Sequence, residues 1–156
     1  FILDKTVSAG SGKWTHIIRH NNKKNNTKNC INNLKKEGYQ IIATTPHNTN
    51  ISLEEINIQN NKIAILLGTE LTGLSNEAIK LSDKRMGIKM AGFTESLNIS
   101  VCAAICSYHL IDRMKKETSS WRIKKESRLN IMLNWLRNSI KSSSEIEKKF
   151  LRENKI

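Results

Sequence analysis

Apolar and polar positions alternate along the chain in a way that separates short strands from amphipathic helices. Short runs of β-type composition occupy residues 15–20, 39–45, 62–67 and 86–90. The run at 62–67, KIAILL, is apolar at nearly every position, which is typical of a strand covered on both faces. Because helical patterns separate these runs, the sequence predicts an α/β fold with a mostly parallel sheet flanked by helices.

The predicted helices are recognised by their caps and by the spacing of their apolar residues. The first begins at the cap Thr27 and ends before Gly38. The second follows Ser75, whose hydroxyl can accept a hydrogen bond from the first helical turn. A long third helix extends over about residues 97–117. Each follows a strand, so each is expected to pack on the sheet.

The pattern changes after Thr118, where helical spacing continues and basic residues become frequent. Residues 126–141 predict a helix with an apolar stripe to bury, formed by Leu129, Met132, Leu133, Leu136 and Ile140. A serine run at 142–144 separates it from a short last helix. The predicted organisation is an α/β domain over residues 1–118 and a basic helical extension over residues 119–156.

The charge of the chain indicates a class of partner. The 156 residues include 26 Lys and Arg against 14 Asp and Glu, a formal net charge of +12 at pH 7. Residues 113–156 hold thirteen of the basic and five of the acidic side chains and so supply +8. A polyanion is the natural partner, since each neutralised phosphate releases condensed counterions. The alternative is a basic helical surface that only keeps the protein soluble.

Several classes of site and location are disfavoured by composition. No apolar run approaches the roughly 20 residues that span a bilayer, so no membrane association is expected. The three cysteines, Cys30, Cys102 and Cys106, are an odd number without metal-ligand spacing. Reduced thiols in a cytoplasmic protein are therefore expected. The histidines are not spaced as ligands either, and no metal is expected.

A Gly-Lys pair in SAGSGKWT, residues 8–15, invites comparison with a phosphate-binding loop. A Walker loop needs a glycine where this chain has Val7, and Ser or Thr where it has Trp14. The spacing therefore fails for a nucleoside triphosphate site. The segment is interpreted as a turn into the first strand.

Two segments combine the end of an apolar run with glycine, polar residues and the start of a helix. They are LLGTELTGLS at 66–75 and IKMAGFTESLNIS at 88–100. Gly68 permits close approach to the backbone where a strand ends, and Gly73 permits a tight turn. Loops at the carboxyl ends of strands form the usual ligand crevice of open α/β sheets. Either segment alone is better interpreted as an ordinary strand-to-helix turn with a glycine cap.

In this order and at this spacing, the two segments resemble the second and third motifs of the SpoU/TrmH family, RNA ribose 2′-O-methyltransferases of the SPOUT superfamily. The resemblance covers residues 2–109, and more loosely the basic extension. It implies S-adenosylmethionine as cofactor, a trefoil knot in the carboxyl-terminal part of the domain and a homodimer. Pattern alone favours an unknotted sheet, because true knots are very rare.

The resemblance also assigns roles to individual residues. Candidate contacts to S-adenosylmethionine, largely through main-chain atoms, are Thr44, Gly68, Ile88 and Leu97. Candidate catalytic residues, which orient cofactor, ribose or neighbouring loops, are Glu70, Ser96 and Asn98. Simpler roles stay open for these three: an exposed loop charge for Glu70, a helix cap for Ser96 and a structural loop hydrogen bond for Asn98.

Two departures from the family pattern are visible. The family's first motif, with its arginine that activates the ribose hydroxyl, is absent from this chain, which begins at Phe1 at a point matching the middle of the family's domain. A leading strand and helix are therefore expected to be missing, which leaves open whether the chain is active by itself. Lys89 stands where the family usually has proline, which puts the local loop geometry in doubt.

The implied function is methyl transfer from S-adenosylmethionine to a ribose 2′-hydroxyl, with a guanosine of tRNA as the favoured substrate. The terminal basic extension favours tRNA, and its candidate RNA-binding residues are Arg122, Lys124, Lys125 and Arg128. Trp121 and Trp135 lie among them and can stack on bases or be buried. The alternatives are a ribosomal RNA 2′-O-methyltransferase and a noncatalytic RNA-binding fragment of the family.

Overall fold

The computed structural model describes residues 11–21, 24–59, 62–119 and 121–154, except the side chains of residues 11 and 13. These residues form two compact units. One unit is His20–Trp121, and the other joins the described residues of 1–19 to those of 122–156. The described part of the chain contains no helix that is both long enough and apolar enough to cross a bilayer.

The first unit is built on a four-stranded parallel sheet, as predicted. Its strands are β1 (Tyr39–Thr44), β2 (Ile51–Ser52), β3 (Lys62–Leu66) and β4 (Lys84–Gly87), in the order β2-β4-β1-β3. The predictions for β1 and β3 are confirmed to within one residue. The strand predicted at 86–90 is shifted: its ladder with β1 starts two residues earlier, at Lys84, and the strand ends at Gly87, three residues before Met90. The two-residue β2 is too short for its periodicity to be recognised.

Three helices flank this sheet. They are α1 (Asn26–Lys36), α2 (Asn76–Leu81) and α3 (Ile99–Glu117). The predicted cap of α2 is confirmed, since Ser75 Oγ accepts a hydrogen bond from the Ala78 amide at 3.2 Å. The predicted cap of α1 is wrong: the cap residue is Asn25, and its side chain makes no capping bond. Asn98, not Ser96, caps α3.

Alternating side chains of the strands place a core on each face of the sheet. On one face, α3 covers a cluster that includes Ile42, Met86, Cys106 and Leu110. On the other face, α1 and α2 cover a cluster formed around Ile31, Ile41 and Ala78. Strand β3 contributes Ile63 and Ile65 to the first cluster and Ala64 and Leu66 to the second. The prediction that this strand is covered on both faces is therefore confirmed.

The strand predicted at residues 15–20 is wrong. Residues Ser11–Trp14 form a 3-10 helix, and residues 15–20 are exposed without regular secondary structure. A strand needs a neighbouring strand to accept and donate its main-chain hydrogen bonds. No strand in the described ranges pairs with 15–20, so β-type composition is insufficient there.

The second unit contains that 3-10 helix together with α4 (Lys125–Ser139) and α5 (Ser143–Glu153). Trp14 packs edge-on against the half-buried Trp135, with ring centroids 5.3 Å apart. Between α4 and α5, Arg137 forms an ion pair with Glu147. The apolar stripe predicted to be buried is instead exposed, from 43% for Leu133 to 53% for Leu129. The prediction is wrong because the half-buried apolar residues of α4 are Ile131 and Trp135, and not those of the stripe.

Arg113 ties α3 to the segment between β2 and β3. Its Nη1 donates to the main-chain oxygens of Ile56 at 3.0 Å and Leu53 at 3.4 Å. Its Nε and Nη2 donate to the carboxylate of Glu117 at 2.7 and 3.0 Å. Both Leu53 and Ile56 are buried in the core. One guanidinium thus supplies donors to a connection that has few strand hydrogen bonds of its own.

Replacing Arg113 with methionine is expected to lower the free energy of unfolding by about 2 kcal/mol, because partly buried carbonyl oxygens lose their donor. Urea unfolding followed by circular dichroism measures the change. Asp112→Asn is the matched control, since Asp112 pairs with the exposed Lys116 along the same helix. It is expected to cost much less than Arg113→Met, because solvent screens an exposed ion pair. Equal losses would contradict the role assigned to Arg113.

Candidate functional site

A cavity lies at the carboxyl ends of β1, β3 and β4. The parallel register pairs Ala43 with Leu66 and Thr44 with Met86, so the loops that follow these strands meet. All three loops and the start of α3 contribute to the wall. The lining residues are Thr44, Thr45, Pro46, Leu67, Gly68, Glu70, Met86, Gly87, Ile88, Met90, Glu95, Ser96, Leu97, Ile99 and Cys102. The cavity therefore occupies the crevice expected of an open parallel sheet.

Gly68 allows the loop after β3 to fold back on itself. A Cβ atom at this position would lie 2.2 Å from the Gly73 carbonyl carbon and 2.4 Å from the Leu74 nitrogen. Such distances are far inside van der Waals contact, and the neighbouring atoms belong to the backbone. At the adjacent strand end, the Thr44 hydroxyl donates to the Leu66 oxygen at 2.8 Å. Close backbone packing thus fixes where this loop leaves the sheet.

The rest of the loop is a hydrogen-bonded turn. Thr69 and Gly73 exchange main-chain hydrogen bonds at 2.9 and 3.0 Å, and the hydroxyls of Thr69 and Thr72 are 2.7 Å apart. Gly73 has φ +64°, a left-handed conformation that glycine adopts readily. The closed turn holds Glu70 at the cavity wall and leaves Leu71 98% exposed.

Asn98 connects the second loop to the third. Its Nδ2 donates to Glu70 Oε1 at 2.8 Å, while its Oδ1 accepts from the Ser100 amide at 2.8 Å. One carboxamide therefore caps helix α3 and restrains the Glu70 carboxylate. Asn98 is not among the residues that line the cavity, and its hydrogen bond to Glu70 links it to the cavity wall.

The structure brings the predicted cofactor and catalytic residues together. The six that line the cavity are Thr44, Gly68, Glu70, Ile88, Ser96 and Leu97. Asn98 lies behind Glu70. These positions come from three separate strand ends, and only the fold makes them neighbours. Their roles stay predictions.

Nine of the fifteen described wall residues were not predicted as site residues, and two of these nine have titratable side chains. Glu95 lines the cavity directly before Ser96, within the segment already singled out. Cys102 was interpreted only as a core residue, yet it contacts both the core and the cavity. Burial raises the pKa of the neighbouring Cys106 thiol to about 12, and Cys102 adds to the effect. Cys106 is therefore uncharged at neutral pH.

Lys89 stands apart from this wall. Its neighbour Ile88 lines the cavity, whereas the Lys89 side chain is exposed and is not among the lining residues. Lysine in place of the proline expected from the resemblance leaves Ile88 at the wall. Within the described ranges, no three His, Cys, Asp or Glu side chains are grouped to hold a metal ion.

The candidate RNA-binding residues cluster where helix α4 begins. Lys124 is its cap residue, Lys125 is its first residue, and Arg122 and Arg128 lie within a turn of them. All four are exposed. The amino-terminal end of a helix already carries a partial positive charge. Basic side chains at this end disfavour the isolated helix but strengthen its attraction for an anion.

Comparison with known proteins places this geometry in a family. The model of the SpoU rRNA Methylase family matches residues 3–108. A tRNA (guanosine(18)-2′-O)-methyltransferase of Borreliella burgdorferi is 40% identical over 145 residues, which are 93% of this chain and 64% of that protein. The enzyme of the same name from Escherichia coli K12 is 33% identical over 103 residues, or 66% of this chain and 43% of its own length. This chain thus spans less than two thirds of either curated relative.

Solved structures agree on the fold. The crystal structure of the Aquifex aeolicus TrmH/SpoU tRNA modifying enzyme superposes with a TM-score of 0.74 at 24% identity, covering 90% of this chain and 70% of that one. The structure of an AdoMet-bound rRNA methyltransferase from Sinorhizobium meliloti superposes with a TM-score of 0.52 at 22% identity. This match covers 60% of this chain and 34% of that one. The family match extends over both loop segments and all seven predicted cofactor and catalytic positions. The chain belongs to the SpoU rRNA methylase family.

Proposed function

We propose that this chain is the cofactor-binding part of an S-adenosylmethionine-dependent RNA methyltransferase that modifies a ribose 2′-hydroxyl of tRNA, at a guanosine. The observation that carries the proposal is the cavity at three strand ends, whose wall combines both loop segments of the family. Its residues suit binding and orientation of a nucleoside-like ligand.

The cavity residues fit this cofactor. Gly68 exposes main-chain edges that can hydrogen-bond an adenosine, while Leu97, Ile88 and Met90 supply apolar wall. Thr44 completes the set that would hold the cofactor. When bound, S-adenosylmethionine supplies a methyl group activated by a sulfonium. The protein's own contribution is placement of that methyl against the acceptor.

Glu70 is the proposed contact to the acceptor ribose. Its Oε1 accepts the hydrogen bond from Asn98, which leaves Oε2 to accept one from the 2′-hydroxyl. Ser96 lines the same cavity and can donate to either ligand. A restrained carboxylate orients the hydroxyl before reaction, and orientation contributes substantially to rate. Asn98 is accordingly a positioning residue.

Transfer RNA is favoured over ribosomal RNA by the extension. The family model ends at residue 108, whereas the similarity to the Borreliella tRNA enzyme covers 145 residues and so continues into the extension. The extension carries the basic cluster at the start of α4. Because the proposed substrate is tRNA and all three cysteines are free thiols, the cytoplasm is the proposed compartment.

Neutralising Lys124 and Lys125 together with glutamine is expected to weaken tRNA binding about fivefold to tenfold. It should also flatten the slope of log K against log salt by about 1 to 2, because fewer counterions are released. Fluorescence anisotropy across a salt series measures both. Lys80→Gln with Lys84→Gln is the matched control, with the same change in charge outside the extension. An unchanged salt slope would remove the RNA-binding assignment.

A homodimer is also proposed. Helix α3 buries Cys106 and Leu110 in the core, whereas its opposite side exposes Val101, Ile105, Tyr108 and Ile111 at 37–77%. These four share one stripe of the helix and form an apolar face suited to a second copy. Analytical ultracentrifugation over a range of concentrations tests the dimer, and a monomer at all concentrations would contradict it.

The proposed function is tested by methyl transfer from labelled S-adenosylmethionine to unmodified tRNA, with the intact protein in which this sequence occurs. Label at a ribose 2′-oxygen of a guanosine is expected. Methyl transfer to ribosomal RNA alone would contradict tRNA as the substrate but would support the proposed reaction. RNA binding without cofactor binding would favour a noncatalytic RNA-binding protein and overturn the proposal.

A further inference from the structure

The cavity wall has a charge opposite to that of the protein. The chain carries 26 Lys and Arg and a net charge of +12, yet none of the described residues that line the cavity is basic. Its charged wall residues are Glu70 and Glu95. A wall of this kind favours a ligand with positive charge.

The two carboxylates differ in their bonding. Glu70 accepts a hydrogen bond from Asn98 at 2.8 Å, which commits one of its oxygens. Glu95 has no hydrogen-bond or ion-pair partner among the described residues and is exposed at the cavity wall. Its negative charge is therefore not paired with any described lysine or arginine.

We propose that Glu95 is a specificity-determining residue that favours the sulfonium form of the cofactor over its demethylated product. This inference rests on the proposed function. S-Adenosylmethionine carries a positive sulfur, whereas S-adenosylhomocysteine has a neutral thioether. A carboxylate at the wall attracts the first and is nearly indifferent to the second. Loss of the methyl group thereby weakens the hold on the product and promotes its exchange for fresh cofactor.

The size of this preference is limited by solvent. Glu95 is exposed, so water and salt screen its field, and a partly screened charge pair is worth a factor of about five in affinity. The discrimination is expected to shrink as salt increases. It is a charge effect, so it should not depend on the methyl group itself.

The test uses isothermal titration calorimetry with three ligands: S-adenosylmethionine, S-adenosylhomocysteine and sinefungin. In sinefungin an amine-bearing carbon replaces the sulfonium, so the positive charge is retained without the transferable methyl. Glu95→Gln is expected to lower the affinity for S-adenosylmethionine and for sinefungin about fivefold each. The affinity for S-adenosylhomocysteine is expected to change less than about twofold. Glu77→Gln, an equal change in charge in the first turn of α2, should alter none of the three.

The possible outcomes separate the inference from the function on which it rests. Equal weakening of all three ligands would show that Glu95 is only a general contact, and unchanged affinities would show that it is no contact; both overturn the inference. Weaker binding of S-adenosylmethionine alone would assign the effect to the methyl group and not to charge, and would also overturn the inference. If the unsubstituted protein binds none of the three ligands, the proposed function fails, and the inference fails with it.

Discussion

Replacing Asn98 with serine is expected to lower the rate of methyl transfer about 100-fold while helix α3 and tRNA binding are retained. The reason is that serine can cap a helix but is too short to reach Glu70. The Glu70 carboxylate would then lose the 2.8 Å hydrogen bond that restrains it. A small misplacement of an orienting group is sufficient for a loss of this size. Single-turnover methylation with saturating cofactor measures the rate.

Two companion variants separate positioning from helix capping. Asn98→Ala removes both hydrogen bonds, so it should match the loss of rate of Asn98→Ser and also lower the free energy of unfolding by about 1 kcal/mol. Glu70→Gln keeps an oxygen that can accept from Asn98 but removes the charge. If Asn98→Ser transferred methyl groups at the unsubstituted rate, the link between Asn98 and Glu70 would be structural only.

The interior of the fold was predictable because burial determines it. Strands β1 and β3 carry apolar residues that must be covered on two faces, and this requirement leaves little choice of position for Ile41 or Ile65. The cap at Ser75 was predictable because its hydroxyl can accept a hydrogen bond and a helical pattern follows it in the sequence. By contrast, Ser96 and Asn98 are both good caps near the start of α3, and sequence alone does not choose between them.

The errors occur where an element depends on partners that local sequence does not specify. Residues 15–20 have the composition of a strand, yet a strand forms only beside another strand. No strand in the described ranges pairs with this segment. The stripe at 129–140 has the spacing of a buried face, but the described structure leaves it exposed. The trefoil knot stays a prediction, because its basis is the resemblance and not the pattern of residues.

The candidate site shows the same division between local and long-range information. Thr44, Gly68 and Ile88 are separated along the chain, and their neighbourhood follows from the parallel register of β1, β3 and β4. Because the ends of these strands were predictable, it was also predictable that the loops after them lie close together. The role proposed for Glu95 was not predicted, because it depends on a wall that only the fold assembles and on the lack of basic side chains among the described residues of that wall.

Replacing Gly68 with alanine is expected to weaken binding of S-adenosylmethionine at least about 100-fold. The added Cβ would lie 2.2 Å from the Gly73 carbonyl carbon, so the turn from Thr69 to Gly73 must move away from the strand end. That movement displaces Glu70 and the main-chain edges proposed to hold the cofactor. Overpacking of this kind also costs about 1–3 kcal/mol of stability. Calorimetric titration measures the affinity, and thermal unfolding measures the stability.

Gly73→Ala is the matched control, because it strains the same turn without a collision. A Cβ at Gly73 meets nothing within 4 Å, so its cost arises only from the left-handed backbone at φ +64°, about 1 kcal/mol. Cofactor affinity should therefore change far less than in Gly68→Ala. Thr44→Val, which removes the 2.8 Å bond to the Leu66 oxygen, provides a milder displacement if Gly68→Ala does not fold. Unaltered affinity in both Gly68→Ala and Thr44→Val would mean that the cofactor does not depend on where this loop leaves the sheet.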